Sequence, residues 1–140
     1  MPKYKTRESK VRDFHQKMRL DVSSQPRASL LALRSRLISE EANEVIEALR
    51  DLEIVVERGG NIDKQLWSNL LKELADLQYV LSGTLVAIGP IDVDFDVVFN
   101  RVHESNLSKL DDNGNPIYDN SGKVVKGPNY QKPIFFDLVG

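Results

Sequence analysis

Up to Leu110 apolar residues recur every three or four positions, the spacing that lines one face of an α-helix; beyond it that period is lost. Residues 1–5 carry no pattern and read as a frayed start. Val11, Phe14 and Met18 predict a short amphipathic helix from about Thr6 to Leu20, broken by Ser23-Ser24-Gln25-Pro26. A long helix follows from about Ala28 to Arg58. Its stripe is Leu30, Leu33, Leu37, Val45, Ala48, Leu49, Leu52 and Val56, and Gly59-Gly60 supplies the stop. A second long helix starts near Asp63, a suitable N-cap, and carries Leu66, Leu70, Leu74, Leu77, Leu81, Leu85 and Ile88 to Gly89-Pro90. Another begins near Asp92 or Asp94 and runs on Phe95, Val98, Phe99 and Val102 to about Lys109.

After Leu110 the texture is that of turns. Asp111-Asp112-Asn113-Gly114 and Asp119-Asn120-Ser121-Gly122 flank Ile117-Tyr118 and Lys123-Val124-Val125, which reads as a small β-hairpin. The tail, with Pro128, Pro133 and Phe135-Phe136, reads as irregular chain packed on the body. The expected fold is a single all-α domain over residues 1–140, a bundle of about four helices (core 6–109) with a C-terminal hairpin and tail (110–140).

Acidic residues break the amphipathic pattern. At 100° per residue, Glu41 falls in the middle of the apolar stripe, one turn from Leu37 and two from Ala48. Glu44 sits on the same side and Glu40 just beyond it, whereas Glu47, Glu53 and Glu57 fall away where solvated acids belong. The next helix repeats the anomaly: Glu73 lies one turn before Leu77 and Asp76 one turn before Val80. Inward-facing carboxylates from two helices repel each other and are costly to bury unless protons or cations neutralise them. The bland alternative is pairing with arginine or a rotated core face. Arg34 falls on the stripe and can neutralise one acid, but not five. A ligand set of oxygens alone selects hard cations such as Mg²⁺ or Mn²⁺. Asn106 and Lys109 end the ridge of the last helix with an amide and an ammonium, groups suited to a phosphate or a base edge.

Composition narrows the classes. The chain is 41% hydrophobic and 29% charged, ordinary for a globular domain of 140 residues. A net charge of −2 speaks against non-specific nucleic-acid binding, although basic residues gather at Lys3, Lys5, Arg7, Lys10 and Arg12 and again at Lys123, Lys126 and Lys132. With no cysteine, thiol catalysis, disulfides and thiolate zinc sites are excluded. No apolar run approaches the length of a membrane span, and the start is charged rather than signal-like, so the expected address is the cytoplasm.

With Glu40-Glu41-x-x-Glu44 on one helix and Glu73-x-x-Asp76 on the next, the chain resembles the all-α nucleoside triphosphate pyrophosphohydrolases. That group includes MazG-like proteins, dimeric dUTPases and phosphoribosyl-ATP pyrophosphohydrolase. The resemblance extends over Leu33-Arg34-x-x-Leu37, Glu73-Leu74-Ala75-Asp76-Leu77-x-Tyr79-Val80, Asn106-Leu107-Ser108-Lys109 and Gly122-Lys123-Val124-Val125-Lys126-Gly127-Pro128, with Phe14-His15 near the start. It implies Mg²⁺-dependent hydrolysis of a nucleoside or deoxynucleoside triphosphate to the monophosphate and pyrophosphate. Carried over by position, Glu41, Glu44, Glu73 and Asp76 are implied ligands of two or more Mg²⁺ ions, with Mn²⁺ as a substitute. Glu40 is implied as a further ligand or as the group that orients water, and Glu40 and Glu41 as the catalytic pair. Asn106, Lys109 and Lys126 are implied nucleotide contacts; Phe14 and His15 border the base, and Arg34 joins this group. The resemblance also implies a homodimer, with a homotetramer as the larger form; the net charge and the lack of a membrane-length apolar run lead to the expectation of no nucleic-acid or membrane partner.

Two other classes stand against this reading. A helical interaction module with structural acids predicts no turnover and no stabilisation by Mg²⁺ beyond a salt effect. A carboxylate-bridged di-iron bundle needs Glu-x-x-His pairs, and neither His15 nor His103 follows a Glu at that spacing. No G-x-x-x-x-G-K-[ST] run exists for a P-loop, and Pro116 occupies the glycine position that a Ca²⁺ loop at Asp111 requires.

Overall fold

The computed structural model describes residues 5–140. The expected frayed start, apart from Lys5, lies outside the described residues, as does Lys3. Among the described residues four α-helices form: α1 (Arg7–Lys17), α2 (Ala28–Glu57), α3 (Lys64–Ala87) and α4 (Phe95–Leu107). Short 3₁₀ turns occupy Gly89–Ile91 and Phe136–Leu138. The chain divides into two compact units, Met1–Asp92 and Val93–Gly140.

Local chemistry sets the helix ends of the first unit. Thr6 caps α1 in a capping box: its hydroxyl accepts from Ser9 N at 3.0 Å while Ser9 Oγ accepts from Thr6 N at 3.1 Å. Asp63 caps α3 by accepting from Leu66 N at 2.9 Å. Past α2, Gly59 takes the left-handed φ of +75° that the tight stop demands. The loop between α1 and α2 then runs beside the end of α3, where Ser23 N donates to Val86 O and Ser24 N to Ala87 O, both at 2.8 Å. Gly89 N returns a bond to Ser24 O at 2.9 Å. The core beneath this seam is Leu30, Ala87 and Ile88 with Ile91.

α3 does not bury the face that its leucines predict. Leu74 and Leu81 are exposed, and the buried residues of α3 are Glu73, Ser82, Gly83, Val86 and Ala87. Small side chains there admit larger neighbours. The Arg34 guanidinium, buried, crosses from α2 to donate to Val80 O at 2.8 Å and to Thr84 Oγ1 at 3.1 Å. A Cβ on Gly83 would lie 2.6 Å from that guanidinium and 3.0 Å from His15 Nε2, so glycine lets both pass. His15 is buried, with Nδ1 2.8 Å from Asp21 O. From α1, Glu8 accepts from buried Ser82 Oγ at 2.6 Å, and Phe14 meets Tyr79 edge-to-face at 5.5 Å. The salt bridge of Arg12 with Asp92 and the bond from Ser23 Oγ to Asp92 fix the chain after α3.

In the second unit, Asp94 caps α4 by accepting from Asp96 N at 3.0 Å. The irregular tail lies along that helix as the sequence suggests. Ser105 Oγ donates to Gln131 O at 2.7 Å, Gln131 N to Ser108 Oγ at 2.9 Å, and Arg101 pairs with Asp137 at 2.7 Å. The expected C-terminal β-hairpin does not form. The segment makes a single antiparallel bridge, Tyr118 with Val124, and no sheet exists among the described residues. Pro116 and Pro128 bound the segment and offer no N–H to a ladder. The Asp119 carboxylate meanwhile draws Ser121 N (2.9 Å) and Lys123 N (3.0 Å) into the turn itself.

A candidate metal centre between α2 and α3

The two acidic clusters meet. Glu41 and Glu44 from α2 and Glu73 and Asp76 from α3 each offer a carboxylate oxygen, all within 4.8 Å of one another. The spacing of three residues within each helix stacks the two acids of a pair on one face, and the packing of α2 on α3 turns the pairs toward each other. Glu73 is only 7% exposed. Its Oε2 and Glu41 Oε2 are buried without a hydrogen-bond partner. A buried, unpartnered carboxylate oxygen is unusual, because such a group costs roughly 1–3 kcal/mol or more when left unsatisfied.

Arginine does not neutralise the cluster. Arg34 directs its donors to Val80 and Thr84, as described above, and burial draws its pKa down from the usual value. The cation that reaches the acids is one the sequence reading overlooked, Lys72, with Nζ 3.2 Å from Glu73 Oε1 and 3.0 Å from Asp76 Oδ2. These two bonds and charges push the Lys72 ammonium above its ordinary pKa. Its signal was present as the i,i+4 spacing of Lys72 and Asp76. Four carboxylates and one ammonium still leave three formal negative charges together. The consequence shows at Glu44, whose pKa is raised by its hydrogen bond with Glu73 and by the charges of Glu41 and Glu73. The oxygen-only donors, the two orphaned oxygens and the uncompensated charge fit a hard divalent cation.

The other expected site residues fall in several places. Glu40 is outside the four-acid group; it is exposed and lies 4.0 Å from Arg36. Phe14 stands against Tyr79 and His15 is buried against the α1–α2 loop. A cavity of about 390 Å³ between α1 and α3 has Arg7 and Lys10 with Val11, Leu74, Gln78 and Tyr79 in its lining. Leu74 and Gln78 sit about half a helical turn from Glu73 and Asp76, so this cavity opens on a different side of α3 from the acids. Asn106, Lys109 and Lys126 belong to the second unit. Asn106 is exposed near the end of α4, and Lys109 and Lys126 share a pocket of about 360 Å³.

A family model described as phosphoribosyl-ATP pyrophosphohydrolase matches residues 11–106, more than half of the chain. The chain belongs to that family. The match takes in all four carboxylates of the cluster and ends at Asn106, so Lys109 and Lys126 lie beyond it. No curated protein matches the chain. Membership places the protein in the MazG-like all-α pyrophosphohydrolase superfamily, whose acid pattern the sequence resembles, and marks it as a pyrophosphohydrolase. No helix among the described residues is long and apolar enough to cross a membrane.

Proposed function

We propose that the protein hydrolyses a nucleoside or deoxynucleoside triphosphate to the nucleoside monophosphate and pyrophosphate, with Mg²⁺ held by Glu41, Glu44, Glu73 and Asp76. The observation that carries this reading is the meeting of four carboxylates within 4.8 Å, with two buried oxygens unpartnered. A triphosphate brings about four more negative charges, so substrate and cluster require cations between them. When bound, divalent cations neutralise phosphate oxygens and acidify water, and Mn²⁺ has the same ligand preferences.

The chain's own residues then divide the work. Glu41, Glu44, Glu73 and Asp76 would hold two or more cations through their carboxylate oxygens. Lys72 bridges Glu73 and Asp76 and positions them in a common orientation. Glu40, exposed beside Glu41, orients water and accepts its proton. Asn106, Lys109 and Lys126 contact the nucleotide, with Arg34, Phe14 and His15 shaping the first unit around the site. The exposed apolar residues of α2 and α3, Ile46, Leu49, Ile54, Trp67, Leu71 and Leu81 among them, support a homodimer, with a homotetramer as the larger form. A cytoplasmic address accords with a nucleotide substrate.

The test is a pyrophosphate-release screen over common nucleoside and deoxynucleoside triphosphates, and over phosphoribosyl-ATP, with Mg²⁺ or with EDTA. Metal-dependent release from a triphosphate, abolished by Asp76→Asn with the helical fold intact, supports the proposal. Release from phosphoribosyl-ATP alone would shift the substrate; no release from any would leave a helical interaction module with structural acids.

A further inference from the structure

Lys72 approaches the acidic cluster from its exposed side. Its ammonium lies 3.2 Å from Glu73 Oε1 and 3.0 Å from Asp76 Oδ2, whereas the buried oxygens Glu73 Oε2 and Glu41 Oε2 face no donor. Among the described residues no other lysine or arginine forms an ion pair with the four acids. The contact is also confined to one helix. Lys72, Glu73 and Asp76 all belong to α3, so the acids of α2, Glu41 and Glu44, have no ion pair of their own.

The two cations nearest this interface are held in different ways. Buried Arg34 is fixed by its bonds to Val80 O and Thr84 Oγ1 and cannot withdraw without leaving them unsatisfied. The Lys72 side chain is 64% exposed, and its printed partners are two acids of the cluster. A flexible lysine stem can turn its ammonium into water, where it is strongly hydrated, without opening the core. A divalent cation drawn to Glu73 and Asp76 shares their carboxylates with that ammonium, and the like charges repel at short range.

We propose that Lys72 is a built-in rival of the metal: it competes with a divalent cation for Glu73 and Asp76 and holds down the affinity for the free ion. Resting on the cation site of the proposed function, this role adds an order of binding. The free ion alone binds weakly, and a triphosphate, with its own oxygens and about four negative charges, tips the balance toward occupancy. In the metal-free chain the same ammonium orients the two acids. Rivalry and orientation have opposite signs: a lysine that only oriented ligands would strengthen metal binding, and its removal would weaken it. Rivalry dominates because the charge of Lys72 sits on the ligand carboxylates themselves.

The experiment is calorimetric titration of the full chain with MnCl₂ at an ionic strength of about 0.15 M, where charges beyond about 8 Å are largely screened. Lys72→Met binds Mn²⁺ about tenfold more tightly than the wild type, and Lys72→Arg, which keeps the charge, stays close to the wild-type value. Lys64→Met removes an equal, exposed charge about 12 Å back along α3 and leaves the affinity unchanged. Binding by Lys72→Met that equals or falls below the wild type would overturn the rivalry and leave the cation site in place. An equal gain in Lys64→Met would overturn it as well, by reducing the effect to net charge. No binding by any form would remove the site and the rivalry together. Tighter Mn²⁺ binding by Lys72→Met without nucleotide turnover in the wild type keeps the rivalry and removes the hydrolase.

Discussion

Replacing Glu41 by glutamine isolates the electrostatic strain of the acidic cluster. The substitution keeps the shape of the side chain, removes one charge, and supplies an amide donor beside Glu73 Oε2, a buried oxygen that otherwise has no partner. At the 4.8 Å limit that bounds the cluster, an ionised Glu41–Glu73 pair repels by roughly 3 kcal/mol at an effective dielectric of about 20. Mobile ions and the attraction of Lys72 reduce the net relief to about 1 kcal/mol. For a domain of this size that raises the melting temperature by about 3–5 °C in EDTA. The metal response moves oppositely. A cation at about a hundred times its dissociation constant adds roughly 2.7 kcal/mol to the wild type, whereas the variant, short of one ligand, gains much less. Differential scanning calorimetry at one protein concentration, with EDTA and with Mn²⁺, reads both limbs. A variant that melts below the wild type in EDTA yet gains as much from Mn²⁺ would refute the reasoning.

Further consequences concern the residues around the cluster. Lys72→Met removes the cation that Glu73 and Asp76 share, so it lowers the melting temperature in EDTA by a few degrees and enlarges the stabilisation by Mn²⁺; thermal melts in both conditions test it. Gly83→Ala drives a methyl against buried Arg34 and His15 and costs about 1–3 kcal/mol, read as a lower midpoint in urea. Asp21 has its pKa lowered to about 2, chiefly by the Arg27 hydrogen bond and then by Ser24. Because the folded value is depressed, its contribution is present above the unfolded value near 3.8 and is lost as pH falls toward 2. Asp21→Asn therefore melts a few degrees below the wild type at pH 7, and the two curves converge between about pH 4 and pH 2.

The helices were legible because their boundaries are written in local chemistry. Thr6, Asp63 and Asp94 cap the helices that the apolar period outlines, and Gly59 stops α2. The acid cluster was legible for a related reason: carboxylates at helical spacing on an apolar stripe imply a shared interior face, and four of the five expected acids meet there. Glu40 does not join them, since its position at the stripe's edge lets it turn toward Arg36. What the wheel could not reveal is which neighbour covers which face. The leucines of α3 suggested that Leu74 and Leu81 are buried, yet small residues at 82, 83, 86 and 87 take the interior because Arg34 and His15 need the space. The hairpin failed for a similar reason. Turn residues and β-branched pairs were present, but Asp119 spent the turn's donors on its own carboxylate and the flanking prolines left no ladder.

Titration with Mn²⁺ followed by electron paramagnetic resonance asks most directly whether α2 and α3 together build a cation site. Wild-type protein should remove free Mn²⁺ signal with saturable binding, Asp76→Asn and Glu73→Gln should weaken that binding at least tenfold, and Mg²⁺ should compete. Failure of the wild type to bind, or variants that bind Mn²⁺ as the wild type does, would contradict the account.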